Sequence, residues 1–82
     1  MSALVYMLIV TKYGTKKGVS TRLLRHSEIE NIHELYGQYD LIVKIRAGDI
    51  KKLEEFIEKN IRVMPEIQRT ETLVVSDIPK EG

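Results

Sequence analysis

The sequence predicts one small α+β domain with the element order β-α-β-β-α-β. Three observations carry that prediction. A β-branched and aliphatic run opens the chain, two alternating segments flank a glycine near its middle, and an amphipathic stripe with three- and four-residue spacing follows them. Eighty-two residues make a single domain, and a chain that short buries only ~60% of the surface its unfolded form exposes. Small domains make up the difference with a disulfide, a metal or a partner subunit. No cysteine is present, which removes disulfides, thiolate catalysis and cysteine-ligated zinc. Self-association is what remains.

The first element, residues 3–11 (ALVYMLIVT), is apolar on both alternating faces. Leu4, Tyr6, Leu8 and Val10 line one face, and Val5, Met7 and Ile9 the other, as in a central strand covered on both sides. Tyr13 and Gly14 end it. Residues 16–25 form a short helix with Val19, Leu23 and Leu24 inward, weakened by Gly18. Residues 29–36 make a second strand, Gly37 and Gln38 a tight turn, and residues 39–46 a third strand with Tyr39, Leu41, Val43 and Ile45 on one face. Asp49 caps the clearest helix, whose stripe is Ile50, Leu53, Phe56, Ile57 and Ile61. Pro65 closes that segment, and residues 67–75 are the last strand. The domain is expected over residues 1–75, with a flexible tail over 76–82 that carries Pro79 and Gly82.

Two βαβ units that share their middle strand each require a right-handed crossover. The compact solution is a ferredoxin-like sandwich, one antiparallel four-stranded sheet with both helices on the same face. The first and third strands are central in that topology, and they are the most apolar here. Two helices cover only one face. The first strand leaves three or four large apolar residues on the other, so a dimer through the sheet is expected.

Charge and motif exclude several function classes. Thirteen Lys+Arg against twelve Asp+Glu leave no basic excess for direct nucleic-acid binding. No run reaches the ~20 apolar residues of a membrane span, and a cytoplasmic protein is expected. Ser20, Ser27, His26, His33 and Asp40 hold the ingredients of a triad without a framing motif. The two histidines would need Glu28, Glu30 or Glu34 to bind a metal, and His33 and Glu34 point to opposite faces of a strand. Residues 13–18 (YGTKKG) lack the phosphate-loop pattern. No cofactor is implied, and no enzyme.

The most informative segment is Tyr36-Gly37-Gln38-Tyr39-Asp40. A hairpin glycine permits positive φ and close approach of a ligand to the backbone. A carboxylate after the turn can accept from an ammonium group, and free backbone N–H groups can hold a carboxylate. A plain structural account serves these residues as well: Gly37 turns the chain, Tyr39 packs, and Asp40 pairs loop amides.

From about Leu4 to Val75 the chain resembles the effector-binding (RAM) domain of the Lrp/AsnC transcription regulators. The matching residues are Gly37-Gln38-Tyr39-Asp40-Leu41 for the family's Gly-x-Tyr-Asp hairpin, Asp49 to Ile57 (DIKKLEEFI) for its second helix, and Met64 to Thr72 (MPEIQRTET) for its Pro-Gly-Val-x-x-Thr-x-Thr segment. The resemblance implies a domain that dimerises through its sheet, assembles into octameric rings of four dimers, and binds amino acids between dimers. Carried over, the ligand-binding residues are Gly37, Gln38, Tyr39 and Asp40, with Thr70 and Thr72 of the last strand. The chain begins at the first strand, so it resembles the family's stand-alone members, and a full-length Lrp/AsnC regulator is a further implied partner. Three positions depart from the family pattern: Tyr36 for a threonine, Glu66 for a glycine, and His26-Ser27 for a proline. Two rival functions are a structural subunit without a ligand and a small dimeric α+β-barrel enzyme.

Overall fold

The computed structural model describes residues 2–76; of the tail expected over 76–82, all but Ser76 lies outside the described residues. The elements are β1 (Ala3–Thr11), α1 (Lys16–Leu23), β2 (Ile29–Glu34), β3 (Leu41–Ala47), α2 (Ile50–Asn60) and β4 (Ile67–Val74). The strands form one sheet in the order β2-β3-β1-β4, every neighbouring pair antiparallel. The ferredoxin-like topology and the central placement of β1 and β3 are as expected.

Register decides which side of β1 meets the helices. Val5, Met7 and Ile9 pair with Ile45, Val43 and Leu41. All six are at most 1% exposed and share one cluster with Val19 and Leu23 of α1 and Leu53, Phe56 and Ile57 of α2. Six well-packed side chains of this size each contribute about 1.5–3 kcal/mol by leaving water. The even-numbered residues of β1 and β3 form the outer face, where Tyr6, Leu8, Val10 and Ile42 are only half-buried, and Leu73 of β4, opposite Tyr6, is 48% exposed.

The second helix forms for the reasons its sequence gives. The Asp49 carboxylate accepts from the Lys52 N–H at 2.8 Å, satisfying one of the donors a helix start leaves unpaired. Leu53, Phe56, Ile57 and, just past the helix, Ile61 are buried, while Ile50 stays 49% exposed.

Four expectations need correction. The helix α1 stops at Leu23, and Leu24 is 58% exposed rather than inward. There Arg25 N–H bonds Arg22 O and His26 N–H bonds Leu23 O, a tightening to three-residue spacing that takes the chain off the helical face. The Gly37-Gln38 turn is wider than two residues. β2 ends at Glu34, β3 begins at Leu41, and Leu35 N–H to Asp40 O (2.8 Å) closes a loop over residues 36–39. Tyr36 and Tyr39 therefore lie outside the strands, and Tyr39 does not share the inner face of Leu41, Val43 and Ile45. Finally, β4 ends one residue early at Val74, although Val75 N–H still bonds Leu4 O at 3.0 Å.

Candidate functional site

Asp40 is the fixed point of the loop. Its N–H donates to Ile9 O at 2.8 Å, and its Oδ2 accepts from Thr11 N–H at 2.8 Å and from the Thr11 hydroxyl at 3.2 Å. The loop is thus tied to the end of the central strand by a residue 29 positions away in sequence. Oδ1 accepts from nothing among the described residues. One carboxylate oxygen is a structural anchor and the other remains free for a donor.

The backbone of the loop is open as well. Gly37 has φ +125°, a conformation that a side chain disfavours. The N–H groups of residues 36–39 make no hydrogen bond among the described residues. A run of unpaired backbone donors next to an anchored carboxylate offers complementary partners for a zwitterion. Tyr36, the first residue of this loop, is fully exposed, with Lys16 Nζ 4.9 Å from its ring centre and bonded to Leu35 O at 3.1 Å.

Tyr39 leans over the outer face of β4. Its hydroxyl lies 3.4 Å from a Glu71 carboxylate oxygen, and the Arg69 guanidinium sits 5.7 Å from its ring centre. Arg69 and Glu71 pair with Val10 and Leu8, which places them on the outer face. Thr70 and Thr72 pair with Ile9 and Met7 and so face the helices. Thr72 lines a cleft of about 290 Å³ between α2 and β4, whose floor is Val5, Leu53, Ile57 and Val74. Within one chain, then, Tyr39 lies over the outer face and the two threonines face the helices. Gln38 is exposed and has no side-chain partner among the described residues.

Sequence reasoning missed Thr11, Arg69, Glu71 and Lys16. Alternation could have found Arg69 and Glu71, since they interleave with Thr70 and Thr72 on a strand. Nothing local marks Thr11, because its role depends on a long-range pairing.

Charges gather at the far edge of the outer face. Glu30 bonds Arg46 Nε at 2.6 Å and lies 3.5 Å from Lys44 Nζ. The hydrogen bond from Arg46 is the main reason its carboxyl is held below the ordinary 4.5, with the Arg46 and Lys44 charges adding to it against partial burial. No group of three or more metal-ligating side chains occurs among the described residues. No helix there is long and apolar enough to cross a membrane.

The family model of the Lrp/AsnC ligand binding domain matches residues 4–82. The HTH-type transcriptional regulator FL11 of Pyrococcus abyssi is 34% identical over 80 residues, which are 98% of this chain and 52% of that protein. The chain thus spans about half the length of the curated relatives it matches. The crystal structure of the hypothetical protein PHS023 from Pyrococcus horikoshii superposes with a TM-score of 0.87 at 40% identity, covering 92% of this chain and 89% of that one. The transcriptional regulator NMB0573 of Neisseria meningitidis, solved as an L-Met complex, shares the fold at a TM-score of 0.85 and 11% identity, over 96% of this chain and 53% of its own. A family model matched along nearly the whole chain and a relative above 30% identity settle the lineage: this protein belongs to the Lrp/AsnC ligand-binding-domain family.

Proposed function

We propose that this domain is an amino-acid effector-binding module that self-associates through the outer face of its sheet. The single observation that carries the reading is the loop over residues 36–39. An anchored Asp40 carboxylate with one free oxygen stands beside a run of unpaired backbone N–H groups. Those are the two partners that an α-ammonium and an α-carboxylate require. The L-Met complex of a fold relative is in keeping with that ligand class. Thr70 and Thr72 face the helices, away from Tyr39, and in this reading they reach a ligand from a neighbouring chain. The half-buried outer row of Tyr6, Leu8, Val10 and Ile42 supplies the dimer surface.

The chemistry proposed is binding without turnover. An effector held between dimers favours one assembly state over another by its difference in affinity for the two, and its concentration sets the population. Coupling to transcription would run through a DNA-binding partner of the same family, either in the same polypeptide or in a mixed assembly.

The test is thermal unfolding against the twenty amino acids at millimolar concentration. A ligand at a hundred times its dissociation constant adds about 2.7 kcal/mol, and each kcal/mol moves the midpoint of a domain this size by roughly 4–8 °C. A selective upward shift is expected for one or a few amino acids. It should vanish in Asp40→Asn, which keeps an acceptor for Thr11 and loses the charge. No shift with any amino acid would sink the effector reading.

A further inference from the structure

The C-terminal ends of both helices border a second cleft, of about 320 Å³. Both helices stop there: α1 tightens after Leu23, and α2 gives way after Asn60 to a turn in which Met64 N–H bonds Ile61 O at 3.1 Å. Leu23 and Met64 are its buried apolar lining, and Arg22, Arg25 and Lys59 are its cations. His26 lines it too, half-buried, its ring edge-on to Phe56 with 5.2 Å between centres. Among the described residues no carboxylate lines this cleft. Glu66 reaches Arg22 from outside the lining, at 3.3 Å. The side chains of Arg25 and Lys59 have no ionic or hydrogen-bond partner among the described residues, and neither does the Val63 N–H.

A helix C-terminus attracts cations by itself, because they offset its negative pole. That pull explains a single residue such as Lys59. It does not explain three cations around one hollow without an acid, where they repel one another until an anion lies between them. We infer that this cleft binds a small phosphorylated anion of nucleotide size. Arg22 and Arg25 supply planar forks that take phosphate oxygens two at a time, and Lys59 adds a point charge. The volume falls at the lower end of small-molecule sites, about 300–1,000 Å³, which suits an organic phosphate. The His26 ring and Met64 give the organic part a surface to pack against. A long nucleic acid fits less well, because the chain has a net charge of only +1 and so lacks the basic excess such a partner needs. The site shares no residue with the loop over residues 36–39 or with the Thr72 cleft. It therefore stands apart from the amino-acid reading and would give the domain a second class of ligand.

The experiment is titration calorimetry of the full chain at low salt, with ADP and pyrophosphate as probes and citrate as a polyanion without phosphorus. ADP should bind saturably, one per chain, more tightly than pyrophosphate and far more tightly than citrate. Arg25→Gln and Lys59→Gln should each weaken ADP by about tenfold or more, the loss of one charge-assisted hydrogen bond. Both residues are exposed, so unfolding midpoints without ligand should stay at the wild-type value. Glu66→Gln should tighten ADP, because it releases Arg22 from the chain's own carboxylate. Cations that only offset helix poles would give no such gain. Asp40→Asn should leave ADP binding unchanged while removing any amino-acid response, so the two readings fail separately. No saturable binding at millimolar ADP, or an affinity that neither Arg25→Gln nor Lys59→Gln lowers, would overturn the site. Citrate binding as tightly as ADP would overturn the phosphate class. Displacement of ADP by duplex DNA, growing stronger with duplex length, would overturn the small ligand in favour of a nucleic-acid backbone.

Discussion

The two faces of the sheet are built from the same strands and end in different states. On the inner face, Val5, Met7, Ile9, Leu41, Val43 and Ile45 are at most 1% exposed. On the outer face, their neighbours Tyr6, Leu8, Val10 and Ile42 remain half-buried. Composition along β1 is apolar on both, so side-chain chemistry does not separate them. Only the helices do. The inner face is completed within the chain, and the outer face has the composition of an interior without the cover of one.

The largest effect is expected where the inner face is opened. Met7→Ala, at a fully buried position, should cost about 2–5 kcal/mol, read as a lower denaturation midpoint with an unchanged slope. A loss under 1 kcal/mol would mean that the inner face is packed more loosely than its burial implies. The loop anchor comes next. Asp40→Ala leaves the Thr11 N–H without its acceptor and should cost about 1–3 kcal/mol, with Asp40→Asn recovering much of it. On the outer face, Leu8→Glu should change chain stability by less than Met7→Ala does and abolish dimers in sedimentation. A dimer that survives Leu8→Glu would place the interface elsewhere.

The smallest effect is electrostatic, at the edge of the outer face. Glu30 has a lowered folded-state pKa, so between the folded and unfolded values the unfolded chain binds more protons. Its contribution is present above the ordinary 4.5 and is lost as pH falls through the folded value. Because the side chain is 35% exposed, screening keeps that contribution slight. Glu30→Gln should lower stability slightly at neutral pH and converge with wild type below the folded value, so that the acid limb of its stability–pH curve is flatter. An acid limb identical to that of wild type would show that the Arg46 pair adds nothing.

Much of this architecture was legible in the sequence, and for separable reasons. β1 ran over 3–11 as expected because a continuous aliphatic and β-branched run of that length, ended by a turn, reads as a buried strand whichever face meets the helices. The second helix was legible because cap and stripe agree. The hairpin was not: Tyr36 and Tyr39 look like strand residues, and only the Leu35–Asp40 closure and the Asp40–Thr11 bonds show that the chain leaves the sheet between them. Leu24 failed for a similar reason, since a helix end is set by backbone bonds that no side chain announces. Among the candidate site residues, identity was readable and sidedness was not. Thr70 and Thr72 alternate with Arg69 and Glu71, and only the pairing of β4 with β1 decides which set meets the helices.

The Thr11 amide has a use that follows from its acceptor. It belongs to a central strand yet donates to the carboxylate of the candidate binding loop. A ligand ammonium drawn to Oδ1 would steady Oδ2 as well, and the Thr11 hydrogen would then exchange with solvent deuterium more slowly. Its neighbours in β1 bond to other strands and would keep their rates. One backbone amide would thus act as a built-in occupancy gauge, readable in a protein with no tryptophan to label the site by fluorescence.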